Sequence, residues 1–244
     1  MIDAALASPE LCALVADELY RSRRRWQPRR LNGRPPFYTF GGASYLDVAD
    51  ERSLSTYLDG ARAERRLRGP ATDTLIEMVR AFIEERFDCR AELAADIAAP
   101  GYHIFIGAAI PRGDCAVVAR DCASCHFDLQ YRHIPWPRWY FKADTSKTLS
   151  FTLPIRLPKG GAALALWDSI TLESFRRHHQ FSEIRAVAHA TPARTVSYDV
   201  GRIFIHTGHE LHQIAGIDAQ SALDERITLQ GHAIWADGSW RIYW

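Results

Sequence analysis

No sign of charge dominates this sequence: thirty lysines and arginines stand against twenty-nine aspartates and glutamates, a formal net charge of +1. A dedicated nucleic-acid binder carries a basic excess, so the balance argues against that class. Long apolar runs are missing too. No stretch reaches the roughly 18 apolar residues of a membrane helix. Cysteine is sparse and odd in number, five in 244 residues, which does not make a disulfide framework. The opening stretch MIDAALASPELC has no basic segment followed by an apolar one, so no secretory signal is expected and a reducing cytoplasm fits. Repeats and low-complexity tracts are absent. What remains, 47% hydrophobic and 24% charged residues in 27.6 kDa, is the composition of an ordinary globular protein, read as a single domain over residues 1–244.

Two textures divide the chain. Up to about residue 95 the apolar period is helical. Leu11, Leu14, Val15 and Leu19 follow Ser8-Pro9, a cap and a first-turn proline. Leu75, Met78, Val79, Phe82, Ile83 and Phe87 form a second stripe, introduced by Thr72-Asp73. Between them, Leu31 to Tyr45 reads as a loop packed on the surface. The basic run Arg21 to Arg30 reads as a solvated helix end stopped by Pro28, with a nucleic-acid contact as the rival reading.

From residue 100 onward the period becomes two. Strands are expected at His103–Gly107, Cys125–Tyr131, Leu149–Leu157, Ala162–Trp167 after Gly160-Gly161, Thr195–Tyr198, Arg202–His206 and Arg226–Trp235. Many short strands after a helical third predict a β-sandwich or barrel with helices packed on one side.

The chemistry sits among these strands. His126-Phe127-Asp128 puts an imidazole and a carboxylate two residues apart, on one face of a strand. A second imidazole from a distant strand would complete two histidines and one carboxylate, a facial triad that leaves metal positions open and suits Fe(II) oxygenases. His206, His209 and His212 are the candidates; an apolar strand-like stretch follows His212, while His206 ends a strand and His209 sits in a turn, so solvent or supporting roles suit those two better. Further on, Arg226 and Thr228 share a face, and a guanidinium with a neighbouring hydroxyl grips a carboxylate well. Thr228, Gln230 and His232 continue a polar row opposite apolar Ile227, Leu229 and Ala233. That row lines a barrel or faces solvent, with Arg226 in the latter case a surface partner of Glu225.

The order His126-x-Asp128, a long gap, His212, a short gap and Arg226-x-Thr228 resembles the 2-oxoglutarate and Fe(II)-dependent oxygenases over roughly residues 100 to 235. The segment Leu149 to Asp168 resembles that family's central strand and turn. The resemblance implies a double-stranded β-helix (jelly roll) core over 96–244, supported by the helical region 1–95. It implies that His126, Asp128 and His212 ligate iron, and that Arg226 and Thr228 hold the distal carboxylate of the cosubstrate 2-oxoglutarate. With O₂, such an enzyme converts 2-oxoglutarate to succinate and CO₂ while oxidising a substrate C–H bond. Family members that halogenate lack the carboxylate, so Asp128 implies hydroxylation, with desaturation or ring formation as variants. The expected substrate is a small molecule such as an amino acid or natural-product intermediate.

Rival readings attach to the same residues. Cys115, Cys122, Cys125 and His126 have the ligand types of a structural zinc loop, although adjacent Cys125 and His126 would point to opposite strand faces. Arg132 to Tyr140 is either a lid bearing Trp136, Trp139 and Tyr140 or a surface loop whose aromatics pack on the barrel. A protein side-chain hydroxylase and a non-catalytic metal-binding jelly-roll module are the alternative functions.

Overall fold

A computed structural model describes residues 1–29, 37–107, 124–160, 162–215 and 223–244. The longest strand explains the architecture. In β6 (Ala143–Arg156), Leu149, Phe151, Leu153 and Ile155 alternate with Ser150 and Thr152, and all six are buried. Both faces are therefore covered: the apolar row packs on helices, and the polar row turns inward. The neighbour β11 (Glu225–Ala236) repeats the pattern, with Ile227, Leu229 and Ala233 on the helix side.

Around this pair the large sheet adds β1 (Ile2–Ala5), β2 (Gln27–Arg29), β3 (Phe37–Phe40), β5 (Gly101–Ile106) and β9 (Arg202–His206) in the order β1-β9-β6-β11-β5-β3-β2. One end of β11 also pairs with β12 (Ser239–Tyr243), which takes β4 (Ala91–Leu93) as a parallel partner. A second sheet has the order β10-β7-β8, from β7 (Ala163–Thr171), β8 (Arg194–Ser197) and β10 (Glu210–Ile214). The result is the expected double-stranded β-helix with helices against the large sheet.

Those helices are α1 (Pro9–Arg21) and α4 (Pro70–Phe87), whose Val15, Leu19, Leu75, Val79 and Ile83 join one core with β6 and β11. Ser8 caps α1 by accepting from Leu11 N–H at 3.2 Å. Leu14, expected on the buried stripe, is 56% exposed, and Cys12 is buried in its place. At α4 the expected cap is also displaced. Thr72 lies inside the helix, and the Glu18 carboxylate of α1 accepts from Ala71 N–H at 2.8 Å and Thr72 N–H at 3.0 Å. A Cβ on the preceding Gly69 would fall 2.3 Å from Glu18, so only glycine leaves room for this contact.

Several elements depart from the pattern read in sequence. The first 95 residues are not helical support alone: four strands from that region join the large sheet. Phe37–Phe40, read as loop, pairs with β5, and its Phe37 and Thr39 are buried. Residues 125–131 form no full strand; His126 alone bridges to β10 and a 3₁₀ turn begins at Gln130. The helices α2 (Ser44–Asp47), α3 (Glu51–Arg65), α5 (Leu172–His178) and α6 (Ile184–Ala190) carry too few buried apolar residues for a stripe to stand out. The basic run does not continue α1 to Pro28: the helix ends at Arg21, exposed Arg23, Arg24 and Arg25 form a 3₁₀ turn, and Pro28 lies in β2.

The Glu18 contact makes a stability prediction. Removing a carboxylate that caps two backbone donors costs about 1–2 kcal/mol. Glu18→Ala should therefore lower Tm by several degrees, at about 2–4 °C per kcal/mol for a chain this long. An unchanged Tm would show that water caps α4 equally well.

Candidate metal centre

His126 and His212 face each other across an antiparallel bridge. The His126 N–H donates to the His212 carbonyl at 2.9 Å, and the His212 N–H returns the bond at 3.1 Å. Paired residues project to the same face, and Asp128, two residues on, follows. Asp128 N–H donates to Gly208 O at 2.8 Å. Gly208 adopts φ +78°, and a Cβ there would sit 2.7 Å from Ser150 Oγ and 3.0 Å from Asp128 Cβ. A side chain would thus push the carboxylate away.

One ligand atom each from His126, Asp128 and His212 lies within 4.8 Å of the other two. The His126 Nε2 is 3.5 Å from Asp128 Oδ1, and the His212 Nε2 is 3.3 Å from Oδ2. Nitrogen and oxygen ligands about 2.1 Å from one cation and at right angles lie about 3 Å apart, close to these spacings. The tautomers also fit. His126 Nδ1 lies 2.6 Å from Ser124 O and His212 Nδ1 lies 2.9 Å from Glu210 O. Each carbonyl can only accept, so each Nδ1 carries a proton and each Nε2 is the atom left to present a lone pair to a metal. Among the described residues these three form the one such group.

The zinc reading places His126 elsewhere. Cys125 Sγ turns to the opposite side, 3.3 Å from Gln213 Oε1, while His126 joins Asp128 and His212; Cys115 and Cys122 lie outside the described residues. Of the other two candidate histidines, His209 is half-buried near Tyr131. His206 is buried with its Nε2 4.0 Å from Asp128 Oδ2. Its Nδ1 accepts from Gly208 N–H at 3.1 Å, so the neutral ring keeps its proton on Nε2, facing the carboxylate.

The triad opens on a cavity of about 360 Å³ whose walls include Tyr45, His103, Phe105, Gln230, His232 and Trp244. The polar row of β11 faces inward, not to solvent: Arg226 and Thr228 are completely buried. Arg226 lies on the far side of its strand from the Glu225 pairing considered above, since Glu225 binds Arg156 at 2.9 Å. The Arg226 guanidinium carbon lies 5.1 Å from the Tyr198 ring centre and 6.0 Å from that of Phe105. Thr228 sits opposite His103 and accepts from Gln230 Nε2 at 3.1 Å. Tyr45 Oη lies 2.5 Å from His103 Nε2, a pair the loop reading of its segment did not anticipate. The lid reading fails for two of its aromatics. Trp136 and Tyr140 are buried in a cluster with Tyr57, Leu58 and Tyr243, and Trp139 packs against it.

Burial and charge sort the ionisable groups. Burial opposes ionising Asp128, but the charge of His212 and hydrogen bonds from His126 and His212 prevail and hold the carboxyl well below its usual range. His212 moves up: burial opposes the shift, and Asp128 overcomes it. Burial, reinforced by Arg226 and His232, drops His103 to about 3. Burial also drops His232 to about 4, against the pull of Asp128. Both rings are thus neutral in the fold, whereas unfolded imidazoles titrate near 6.5. Between pH 6.5 and 4 the unfolded chain takes up protons that the fold refuses, so stability falls as pH drops through that window. In urea unfolding, His103→Gln should flatten this fall, and an unaltered slope would contradict a neutral buried His103.

No family model matches the sequence, and no curated protein matches it. Solved structures do match. An N-substituted L-amino acid dioxygenase from Burkholderia ambifaria AMMD aligns over 99% of this chain and 84% of its own, with a TM-score of 0.54 at 13% identity. Its complex with 2-oxoglutarate (alpha-KG) aligns over 99% and 85%, with a TM-score of 0.52 at 13% identity. Among the described residues, no helix is long and apolar enough to cross a membrane. The chain thus shares the double-stranded β-helix fold of these two dioxygenase structures.

Proposed function

We propose that this protein is a 2-oxoglutarate- and Fe(II)-dependent oxygenase that hydroxylates, or desaturates, an unactivated C–H bond of a small molecule such as an amino acid or natural-product intermediate. The observation that carries the reading is the convergence of His126 Nε2, Asp128 and His212 Nε2, with both Nδ1 atoms committed to carbonyls. A structural match acting on an N-substituted L-amino acid supports the substrate class.

His126, Asp128 and His212 would hold the iron, and Arg226 with Thr228 would hold the distal carboxylate of 2-oxoglutarate. When bound, iron, 2-oxoglutarate and O₂ supply the oxidising chemistry, with succinate and CO₂ as coproducts. The chain supplies placement and environment. The Arg226 guanidinium, fully buried and not itself among the cavity walls, would give a dicarboxylate that reaches it a charge-assisted, bidentate contact. Neutral His103 and His232 add hydrogen-bonding atoms to the cavity without adding charge. Phe105 and Trp244 contribute apolar wall that keeps solvent from the reacting centre. Asp128 stays ionised and gives the metal an anionic oxygen, which favours oxygen insertion over halogenation.

Succinate release coupled to O₂ uptake, in a screen of amino acids and related metabolites, tests the activity. Within it, Arg226→Ala should raise KM for 2-oxoglutarate on the order of tens- to a thousandfold, the effect of a lost charge-assisted contact, and leave KM for the primary substrate much less affected. An unchanged KM for 2-oxoglutarate would remove Arg226 from the cosubstrate site.

A further inference from the structure

Gln130 opens the 3₁₀ turn Gln130–His133 two residues after Asp128 and is 7% exposed. Its side-chain amide is used on one side only. Nε2 donates to Asp128 Oδ1 at 2.8 Å, while Oε1 is buried with no hydrogen-bond partner among the described residues. A buried carbonyl left without a partner is unfavourable, and a leucine or methionine would avoid it. The reverse amide orientation would set Oε1 against a carboxylate oxygen, so the donor side is the one that faces Asp128.

The carboxylate needs such an anchor. The backbone of Asp128 is fixed through Gly208 O, but rotation about its Cβ–Cγ bond is soft and broad. Both oxygens face imidazoles, Oδ1 toward His126 and Oδ2 toward His212. In the metal-bound state each Nε2 has given up its proton to bind the cation and can no longer donate to the carboxylate. His206 Nε2, at 4.0 Å, is beyond hydrogen-bond reach, which among the described residues leaves Gln130.

Resting on the metal reading above, we propose that Gln130 is the positioning residue for Asp128. Its amide retains Oδ1 and turns Oδ2 to the cation, so Asp128 binds through one oxygen and does not cover a position needed by the cosubstrate. The interaction tunes metal affinity through a neighbour of the ligand.

Cobalt(II) titration of the metal-free full chain, followed by its visible d–d absorption, tests this alongside Tm of each metal-free protein. Gln130→Leu should bind cobalt about tenfold to a hundredfold more weakly than wild type, with an altered visible spectrum and a Tm within a few degrees. Gln130→Glu keeps the size, removes the donor and should weaken binding at least as much, which covers a failure of the leucine variant to fold. Cobalt affinity and spectrum matching wild type in either folded variant would overturn the proposal. So would a large fall in Tm of both metal-free variants, which would assign Gln130 to the fold instead. Wild type that binds no cobalt, or His126→Ala that binds it normally, would overturn the metal reading itself and this inference with it.

Discussion

Two backbone hydrogen bonds between His126 and His212 set the geometry on which everything else depends. They attach a segment with almost no other strand pairing to the free edge of β10, and they fix its register. In a β ladder a slip of one residue reverses every side chain. Slipped by one, the segment would present Cys125 or Phe127 to the cavity and turn His126 and Asp128 away. The His-x-Asp spacing has chemical meaning only in this register. The tight approach of Gly208, where a Cβ would strike Ser150 and Asp128, bars a bulkier residue from the same place.

The second constraint is that both faces of β6 and β11 are buried. The helix-facing rows supply the hydrophobic core. The inward rows are polar, and polar atoms inside a protein must be partnered or functional. Partnering accounts for part of them: Ser150 Oγ lies 3.0 Å from His232 Nδ1, and Thr228 accepts from Gln230. The same burial makes the interior electrically selective. It neutralises His103 and His232, which have no carboxylate close enough to keep them charged, and yet leaves Asp128 ionised because two imidazoles flank it. One charged carboxylate between two imidazoles is a setting suited to a divalent cation.

Much of this was legible in the sequence because it is written in short periods. The alternation in Leu149–Leu157 and Arg226–Trp235 gave the two central strands, and residue spacing alone put His126 with Asp128 and Arg226 with Thr228 on shared faces. His212, read as standing before a strand, lies in the middle of β10, and His206, set aside as a ligand, is a buried neighbour of Asp128. Other features were invisible for physical reasons. The α4 cap comes from Glu18, more than fifty residues away, and local sequence carries no trace of a tertiary cap. β3 lies within a Gly/Pro-rich stretch and is only four residues long, too short to show a period. Trp136 and Tyr140 look like a lid by composition, but aromatic residues serve equally well as packing, and here they bury against α3 and Tyr243. The hairpin to β12 did carry a signal, Asp237-Gly238, with both residues at positive φ as a tight two-residue turn requires.

The central claim is that His126, Asp128 and His212 form one metal centre beside a buried arginine. Crystals grown without oxygen in Fe(II) and 2-oxoglutarate, with anomalous diffraction recorded at the iron edge, test it most directly. The account predicts a single iron peak bonded to His126 Nε2, His212 Nε2 and an oxygen of Asp128, with the cosubstrate reaching to Arg226. A peak held instead by Cys115, Cys122 or Cys125, or no iron between the two histidines, would contradict it.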